Sequence, residues 1–286
     1  MSADPLEPRE FEIEADGQRL AGEELGEGPS VVLVHGLTAT RRYVVHGSRA
    51  LPRKGHLTIS YDARGHGASE PAPAGQGYGY EWLTGDLEAV IGDRAGGGPV
   101  VLAGHSMGAH TAASYALAHP DRVAGAVFAG PVSIGLEPPP EVLAEWDELA
   151  DGIARGVDGF IETIDRQGLS PEWRDRILRF SRARMEQHRH LDAVAQAVRD
   201  VPRSVPFDGL GELEGLELPV LVVASHDVAD PSHPYAVSEA WAEALPMARL
   251  ISEAEGEAPL AWKGGKISRE IAAFAAEPAV AERLAG

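Results

Sequence analysis

The chain has 286 residues, of which 44% are hydrophobic, and this is enough apolar material to bury one large core. It carries 44 acidic against 25 basic side chains, and the formal net charge of -19 repels phosphate backbones and anionic lipid headgroups, so we expect neither nucleic acid nor a membrane surface as a partner. Because the chain contains no cysteine, disulfides, thiolate metal sites and a cysteine nucleophile are excluded.

Residues 1–10 are polar and acidic. They lack the positively charged start and the apolar stretch of a secretory signal. No apolar run in the chain reaches the about 20 residues that a membrane span requires. The sequence therefore predicts a cytoplasmic protein, and it contains no pattern that indicates an oligomeric state.

Strand and helix patterns alternate through the first half of the chain. Phe11–Glu24 alternates around the turn Asp16-Gly17, which predicts an antiparallel hairpin at a sheet edge. Short apolar runs then predict four strands buried on both faces, at Ser30–Val34, Leu57–Tyr61, Pro99–Ala103 and Val123–Ala129. Helical patterns separate these runs at Arg41–Arg53, Glu81–Arg94 and Met107–His119. This alternation is typical of an α/β protein with a doubly wound, mostly parallel sheet.

The pattern changes after Pro131. From Pro138 to about Pro206 no strand pattern occurs, and a helix is predicted to open at Ser170 with that serine as N-cap. We predict that residues 135–206 form a helical lid inserted after the sixth strand, and that residues 1–134 and 207–286 form the core. The remaining elements are predicted as strands and helices at Pro219–Ala224, Ser238–Leu245, Ala248–Ser252 and, as the last helix, Ser268–Ala275.

Residues Gly104–Gly108 have the sequence Gly-His-Ser-Met-Gly and lie between a predicted strand and a predicted helix. A serine on such a tight turn stands out above the sheet, and its neighbours must be glycine because a side chain there would clash with the strand or the helix. We interpret this turn as a nucleophile elbow, with Ser106 as the nucleophile. A merely structural turn is the alternative, which the strand–turn–helix context disfavours.

On this motif the chain resembles the α/β-hydrolase fold superfamily, from Ser30 to about Phe274. The resemblance implies an eight-stranded, mostly parallel sheet with a lid. His35-Gly36-Leu37 looks like the oxyanion loop of that family, which implies that the amides of Leu37 and Met107 face the negative oxygen of a tetrahedral intermediate. The His35 ring is expected to brace this loop. Residues 62–69, Asp-Ala-Arg-Gly-His-Gly-Ala-Ser, are similar to a patterned turn of the family, for which we expect a scaffolding role.

The family places its catalytic acid in the loop after the strand that ends near Ala224. It is often an aspartate followed four residues later by proline, and Asp230 with Pro234 fits this spacing. We therefore take Asp230 as the acid. Asp227 is the alternative, since it lies closer to the end of the strand.

The family's general base is a histidine just after the last strand, but Ala254–Trp262 contains none, and none of the 11 histidines lies beyond His233. Without a base a serine hydroxyl is a poor nucleophile, so another group must accept its proton or turnover is slow. Glu257 would fit this role if burial and repulsion from Asp230 raised its pKa. The other candidates are His233 on the acid loop, His46 on the first helix, and His188 or His190 in the lid.

The sequence favours a hydrolase that needs no cofactor. His226, Asp227, Asp230 and His233 could ligate a metal, but they lack a familiar ligand spacing and the acid loop already explains them, so we predict no metal. His105 and His110 are expected to pack. The predicted function is a serine hydrolase for a small, mainly apolar ester, thioester or lactone. The alternatives are a pseudo-enzyme or ligand-binding protein, and a cofactor-free lyase or cyclase on the same fold.

Overall fold

An eight-stranded sheet forms the centre of the protein, with the strand order β1-β2-β4-β3-β5-β6-β7-β8. The computed structural model describes residues 6–166, 168–226, 230–254 and 256–286. The strands are β1 (Arg9–Ala15), β2 (Gln18–Leu25), β3 (Ser30–Val34), β4 (Leu57–Tyr61), β5 (Val100–His105), β6 (Val123–Ala129), β7 (Val220–Val223) and β8 (Ala248–Ile251). β2 pairs antiparallel with β1 and β4, and the other neighbours are parallel. The predicted mostly parallel eight-stranded sheet is confirmed.

Eleven helices occur in the described part of the chain. They are α1 (Ala50–Arg53), α2 (Tyr80–Arg94), α3 (Met107–Ala118), α4 (Pro140–Ala154), α5 (Val157–Arg166), α6 (Arg174–Met185), α7 (Leu191–Asp200), α8 (Leu210–Leu213), α9 (Tyr235–Ala244), α10 (Gly264–Ala275) and α11 (Pro278–Ala285). Short 3₁₀ turns lie at Pro120–Arg122, Val201–Arg203 and Leu260–Trp262. The predicted helix over Ser268–Ala275 is therefore not the last, because α11 follows it.

Two of the predicted helices are wrong in extent. Of Arg41–Arg53 only α1 is helical, because His46 and Gly47 adopt positive φ angles of 48° and 70° that an α-helix cannot contain. The helix predicted to open at Ser170 begins instead at Arg174, and no side chain caps it. The Ser170 carbonyl accepts bonds from the amides of Trp173 and Arg174, so a separate turn precedes the helix.

Apolar side chains cover both faces of the sheet. Along β3, Val32 and Val34 pack into a cluster with α2, α3 and α9, whereas Val31 and Leu33 pack into a cluster with α1, α10 and α11. Strand residues alternate between faces, so a strand that is buried on both sides must be apolar throughout. This requirement explains the largely apolar sequences of β3, β5 and β6, whereas β4 carries Thr58 and Ser60 between its apolar residues.

The helical segment between β6 and β7, consisting of α4 to α7, lies over the carboxyl ends of β3 and β5. Met107, at the start of α3, shares a cluster with Ala193 and Ala197 of α7. Leu37, beyond the end of β3, packs against the cluster formed by α4 to α7. Chain order reverses between β3 and β5, and in open α/β sheets ligands bind at the carboxyl ends of the strands at such a reversal. No helix in the described ranges is both long and apolar enough to cross a membrane.

Candidate active site

Ser106 lies on a strained turn at the end of β5. Its φ and ψ are 55° and -120°, a combination that L-residues rarely adopt and that costs about 1–3 kcal/mol where it occurs. A Cβ atom at Gly108 would overlap the carbonyl oxygen of Val34, and one at Gly104 would overlap that of Gly108. The Ser106 amide donates to the carbonyl of Ala129 at 2.9 Å. The turn therefore has the geometry expected of an elbow, and Ser106 remains partly exposed.

The loop after β3 lies directly against this serine. A Cβ atom at Gly36 would be 3.0 Å from the Cβ of Ser106, so the backbone that leads into Leu37 touches the elbow. Met107 is the first residue of α3, and its amide has no acceptor within the helix. The Leu37 amide makes no hydrogen bond to any residue that the structure describes. Two backbone donors thus border Ser106, as an oxyanion site requires.

His35 braces this loop, as expected from the sequence. Its Nδ1 donates to the Gly36 carbonyl at 2.8 Å, and its Nε2 accepts from the Ala63 amide at 2.9 Å. Burial, and then the neighbouring His66, hold the pKa of His35 well below its usual range. The ring is therefore neutral and occupied at both nitrogens, so it is not available as a base.

The turn over residues 62–69 is a scaffold, which agrees with its interpretation from the sequence. The Asp62 carboxylate accepts from the Arg41 and Ala68 amides at 2.7 and 3.0 Å. Arg64 is completely buried and forms two hydrogen bonds of 2.7 Å with Asp86. The hydrogen bonds of Asp62 and Arg64 thus hold the turn to itself, to Arg41 and to α2, which is a structural role.

Asp230 and His233 form a hydrogen-bonded pair beside the elbow. His233 Nδ1 lies 2.7 Å from Asp230 Oδ1. The His233 ring packs against Gly130, which follows the acceptor of the Ser106 amide, and against the ring of His105 at a centroid distance of 4.9 Å. Its Nε2 is buried and has no partner among the described residues. Asp227, the alternative acid, lies outside the described residues.

The charge on Asp230 fits its position against an imidazole. Burial by itself would raise the pKa of this carboxyl, but His233, with His105 and Arg184, lowers it below its ordinary value. An ionised Asp230 accepts a hydrogen bond from the Nδ1–H of His233, and this tautomer leaves the free lone pair of the ring on Nε2. Burial, followed by the nearby His233, lowers the pKa of His105 to about 3, so that ring is neutral.

The other candidate bases are engaged elsewhere. His46 Nε2 lies 2.9 Å from the Ala261 carbonyl, and its ring contacts Phe180. His188 uses both nitrogens, one toward the Gly67 amide and one toward the Thr38 carbonyl. His190 lies 3.8 Å from Glu70 at the surface.

The condition under which Glu257 would act as a base is not met. Half of its side chain is exposed, and its carboxylate accepts from Lys263 Nζ at 2.8 Å. This hydrogen bond, together with the charges of Lys263 and Lys266, lowers the pKa of Glu257, whereas a base at this position required a raised one. Burial and repulsion from Asp230 therefore do not operate on it.

Sequence reasoning missed Glu253, a buried carboxylate just after β8. It accepts from Ser225 Oγ at 2.8 Å, from the His226 amide at 2.7 Å and from the Leu260 amide at 3.1 Å. It therefore ties the loop after β7, which carries the acid, to the loop after β8. A single acidic residue after a strand usually faces solvent, so the sequence contains no signal for this role.

Two cavities are described, of about 260 and 500 Å³, and Ser106 lines neither of them. The larger one lies between the loop 42–47 and α6. Around Ser106 itself, the helical segment packs closely onto Leu37 and Met107.

A family model of the alpha/beta hydrolase fold matches residues 29–182, which is more than half of the chain. Epoxide hydrolase B of Mycobacterium tuberculosis is 36% identical over 115 residues, which cover 38% of this chain and 32% of that protein. A non-heme haloperoxidase of Rhodococcus erythropolis is 30% identical over 156 residues, which cover 54% of this chain and 53% of that protein. The matched region thus spans only about a third to a half of these relatives.

Solved structures resemble the protein over most of its length. The enol-lactonase from Burkholderia xenovorans LB400 has a TM-score of 0.71 at 22% identity, with 96% of this chain and 100% of that chain covered. An alpha/beta hydrolase from Sphaerobacter thermophilus has a TM-score of 0.68 at 26% identity, with 92% and 99% covered. Because the family model covers the elbow and more than half of the sequence, the protein belongs to the α/β-hydrolase fold family.

Proposed function

We propose that the protein is a serine hydrolase that cleaves a small carboxylic ester, thioester or lactone through Ser106. His233 is the base and Asp230 the acid, so both come from the loop after β7. The observation that carries this proposal is the 2.7 Å contact between Asp230 and His233, because the far nitrogen of that imidazole is left buried and unpartnered among the described residues beside the elbow.

The chemistry follows from these positions. His233 Nε2 accepts the proton of the Ser106 hydroxyl as Oγ attacks the carbonyl carbon of the substrate. The resulting oxyanion receives hydrogen bonds from the amides of Leu37 and Met107, each worth about 3–4 kcal/mol in the transition state. His233 then donates its proton to the leaving alcohol or thiol. In the second half of the reaction His233 accepts a proton from water as the water attacks the acyl carbonyl, and it returns that proton to Ser106 Oγ as the carboxylic acid leaves.

The surroundings favour a small, mainly apolar acyl group. Leu37 and Met107 share clusters with alanine and valine side chains of α7, and these present little polar surface to a substrate. We assign the helical segment, within residues 135–206, the role of a lid over the core. Because this segment packs onto Leu37 and Met107, substrate entry requires it to move.

A panel of activated esters and a fluorophosphonate probe test the proposal. The wild type should turn over at least one p-nitrophenyl ester and label with the probe, and Ser106→Ala should do neither. His233→Ala should lower kcat by roughly a thousandfold or more, because the remaining rate comes from the oxyanion site and binding alone. His119→Ala, which changes a half-exposed histidine at the end of α3, should retain wild-type kcat. Equal labelling of wild type and Ser106→Ala would refute the role of Ser106, and unchanged kcat in His233→Ala would refute that of the base.

A second candidate is a non-hydrolytic ligand-binding protein or a cofactor-free lyase or cyclase on the same fold. The absence of a histidine after β8 favours it, since Glu253 there is fully engaged by three donors. Saturable binding without any product indicates the binding protein. A product isomeric with its substrate, formed equally by Ser106→Ala, indicates the lyase or cyclase.

A further inference from the structure

Arg184 is a cation without a counterion in the helical segment that covers the elbow. Its Nε is buried and unpartnered, and no described residue forms a hydrogen bond or an ion pair with its guanidinium. Two other arginines of α6 contrast with it, because Arg174 pairs with Asp165 at 2.5 Å and Arg182 pairs with Asp158 at 2.7 Å.

The position of Arg184 on α6 directs it toward the active site. Side chains four residues apart share one face of a helix, so Arg184 lies on the face of α6 that carries Phe180, and His188 follows three residues after the helix ends. The Phe180 ring contacts His46 at 5.5 Å between centroids, and His188 Nε2 lies 3.1 Å from the Thr38 carbonyl. Both contacts are with the segment that directly follows the oxyanion loop. In the sequence, Arg184 therefore lies between two residues that contact this segment, Phe180 within α6 and His188 beyond its end.

The electrostatic reach of Arg184 supports this placement. Burial is the largest influence on the pKa values of Asp230, His105 and His188, and the positive charge of Arg184 adds a lowering effect on each of them. These groups are the proposed acid, the residue before Ser106 and the contact beside the oxyanion loop. Asp230 is the acid whose charge acts on Arg184, but its carboxylate is hydrogen-bonded to His233 instead.

Arg184 is partly buried, and removing a charge even in part from water without a counterion is unfavourable, so native proteins pair such groups or use them for a ligand. A guanidinium matches a carboxylate in shape because it donates two parallel hydrogen bonds. The cavity of about 500 Å³ between α6 and the loop 42–47 is lined by Phe180 and Gln187, which lie on either side of Arg184 in the sequence. The cavity thus lies beside the C-terminal half of α6, the part of the helix that carries Arg184.

We propose that Arg184 binds a carboxylate carried by the substrate, so that the preferred substrate is an ester, thioester or lactone with a free carboxylate on its acyl part. This inference rests on the proposed function for the cleavage reaction at Ser106, and on Arg184 alone for the recognition of a negatively charged substrate. It refines the mainly apolar substrate expected from the sequence by adding one anionic group. The apolar surface of Leu37 and Met107 then faces the methylene chain between the carboxylate and the reacting carbonyl.

The test compares two substrates with six-carbon acyl groups, mono-p-nitrophenyl adipate, which carries a carboxylate, and the neutral p-nitrophenyl hexanoate. The measured quantity is the ratio of kcat/KM for adipate to that for hexanoate, corrected for spontaneous hydrolysis. We expect this ratio to exceed one in the wild type and to fall about tenfold or more in Arg184→Gln, since a charge-assisted pair is lost. Arg182→Gln, which removes an exposed arginine two positions earlier, should leave the ratio unchanged.

A binding experiment separates failure of this inference from failure of the proposed function. Monomethyl adipate is titrated calorimetrically into Ser106→Ala and into Ser106→Ala with Arg184→Gln. Weaker binding by about tenfold or more in the double variant supports the carboxylate site even where no ester is turned over. Equal binding to the two variants, or a substrate ratio that Arg184→Gln changes less than about threefold, overturns it. Thermal unfolding of each variant shows that the comparison is made between folded proteins.

Discussion

At the scale of single residues, the loop after β7 decides how Ser106 could be activated. The family places its histidine after the last strand, whereas here the nearest imidazole to the acid in the sequence is His233, three residues after Asp230. The structure joins the two by a hydrogen bond and leaves the second ring nitrogen buried and unpartnered within the described chain. In the proposed mechanism one loop thus supplies both the acid and the base, which the family draws from two loops.

Asp230→Asn tests whether this pair orients the imidazole. An asparagine can donate to Nδ1 and so favours the wrong tautomer, in which Nε2 carries the proton and cannot accept another. We expect kcat for the best ester of the panel to fall by roughly a thousandfold or more, with KM changed little. Asp121→Asn, at an exposed position after α3, serves as the matched control. Activity within tenfold of wild type would show that Asp230 does not act through His233.

At the scale of elements, the elbow depends on the close approach of three backbones. Gly108 of α3 lies against the end of β3, and Gly104 of β5 lies against α3, so neither position has room for a side chain. This is why a serine with a φ of 55° can be held there at all. The packing of the buried strands on either side offsets the conformational strain of this turn.

Gly108→Ala should destabilise the protein by about 3 kcal/mol or prevent folding, because its methyl group overlaps the Val34 carbonyl. Gly92→Ala is the matched control. Gly92 lies within α2 with open space around its Cβ position, and alanine there should stabilise the protein by up to about 1 kcal/mol. Urea unfolding followed by circular dichroism measures both changes. A neutral effect of Gly108→Ala would mean that β3 and α3 are further apart than described.

At the scale of the whole molecule, several histidines are buried without charge. Burial lowers the pKa of His66 to about 4 and those of His110 and His188 to about 3, with smaller contributions from neighbouring charges in the last two. His188 also joins the helical segment to the core through the Gly67 amide and the Thr38 carbonyl. Protonation of these rings is therefore coupled to loss of the native packing.

The free energy of unfolding should fall steeply in acid. These histidines have depressed pKa values in the folded state, so their contribution is complete above the unfolded pKa of about 6.5 and is lost as the pH falls toward the folded values. Each contributes a slope of roughly 1.4 kcal/mol per pH unit, and the three together about 4 kcal/mol per pH unit near pH 5.

Urea titrations between about pH 8 and pH 5 measure this slope. In the wild type, the Val132 amide donates a hydrogen bond to His110 Nε2 at 3.1 Å. The substitution His110→Gln keeps an acceptor for this amide and removes one titrating ring. Its slope should therefore be smaller than that of the wild type by roughly 1.4 kcal/mol per pH unit. His119→Gln, at the surface, should leave the slope unchanged. An unaltered slope in His110→Gln would contradict the buried neutral state of that ring.

Much of the architecture followed from local sequence patterns. The strands β3, β4 and β6 have the predicted bounds, since a strand buried on both faces leaves a short apolar run that ends at polar residues. The helix predicted over residues 41–53 failed because apolar spacing does not reveal that His46 adopts a positive φ. Likewise the Gly-His-Ser-Met-Gly turn was identifiable because this motif stands between a predicted strand and a predicted helix, although the clash that Gly108 avoids is with Val34, which is distant in the sequence.

The amino-acid sequence by itself determined the strand and helix patterns, the elbow motif and the absence of a histidine after β8, because each can be read from residues close together in the chain. Only the tertiary structure decided that His233 pairs with Asp230, that Glu257 is paired with Lys263, and that Arg184 has no counterion among the described residues. Those properties depend on contacts between distant segments and on burial, which set pKa values and leave or satisfy hydrogen bonds. A pattern along one strand or helix contains no information about what packs against it.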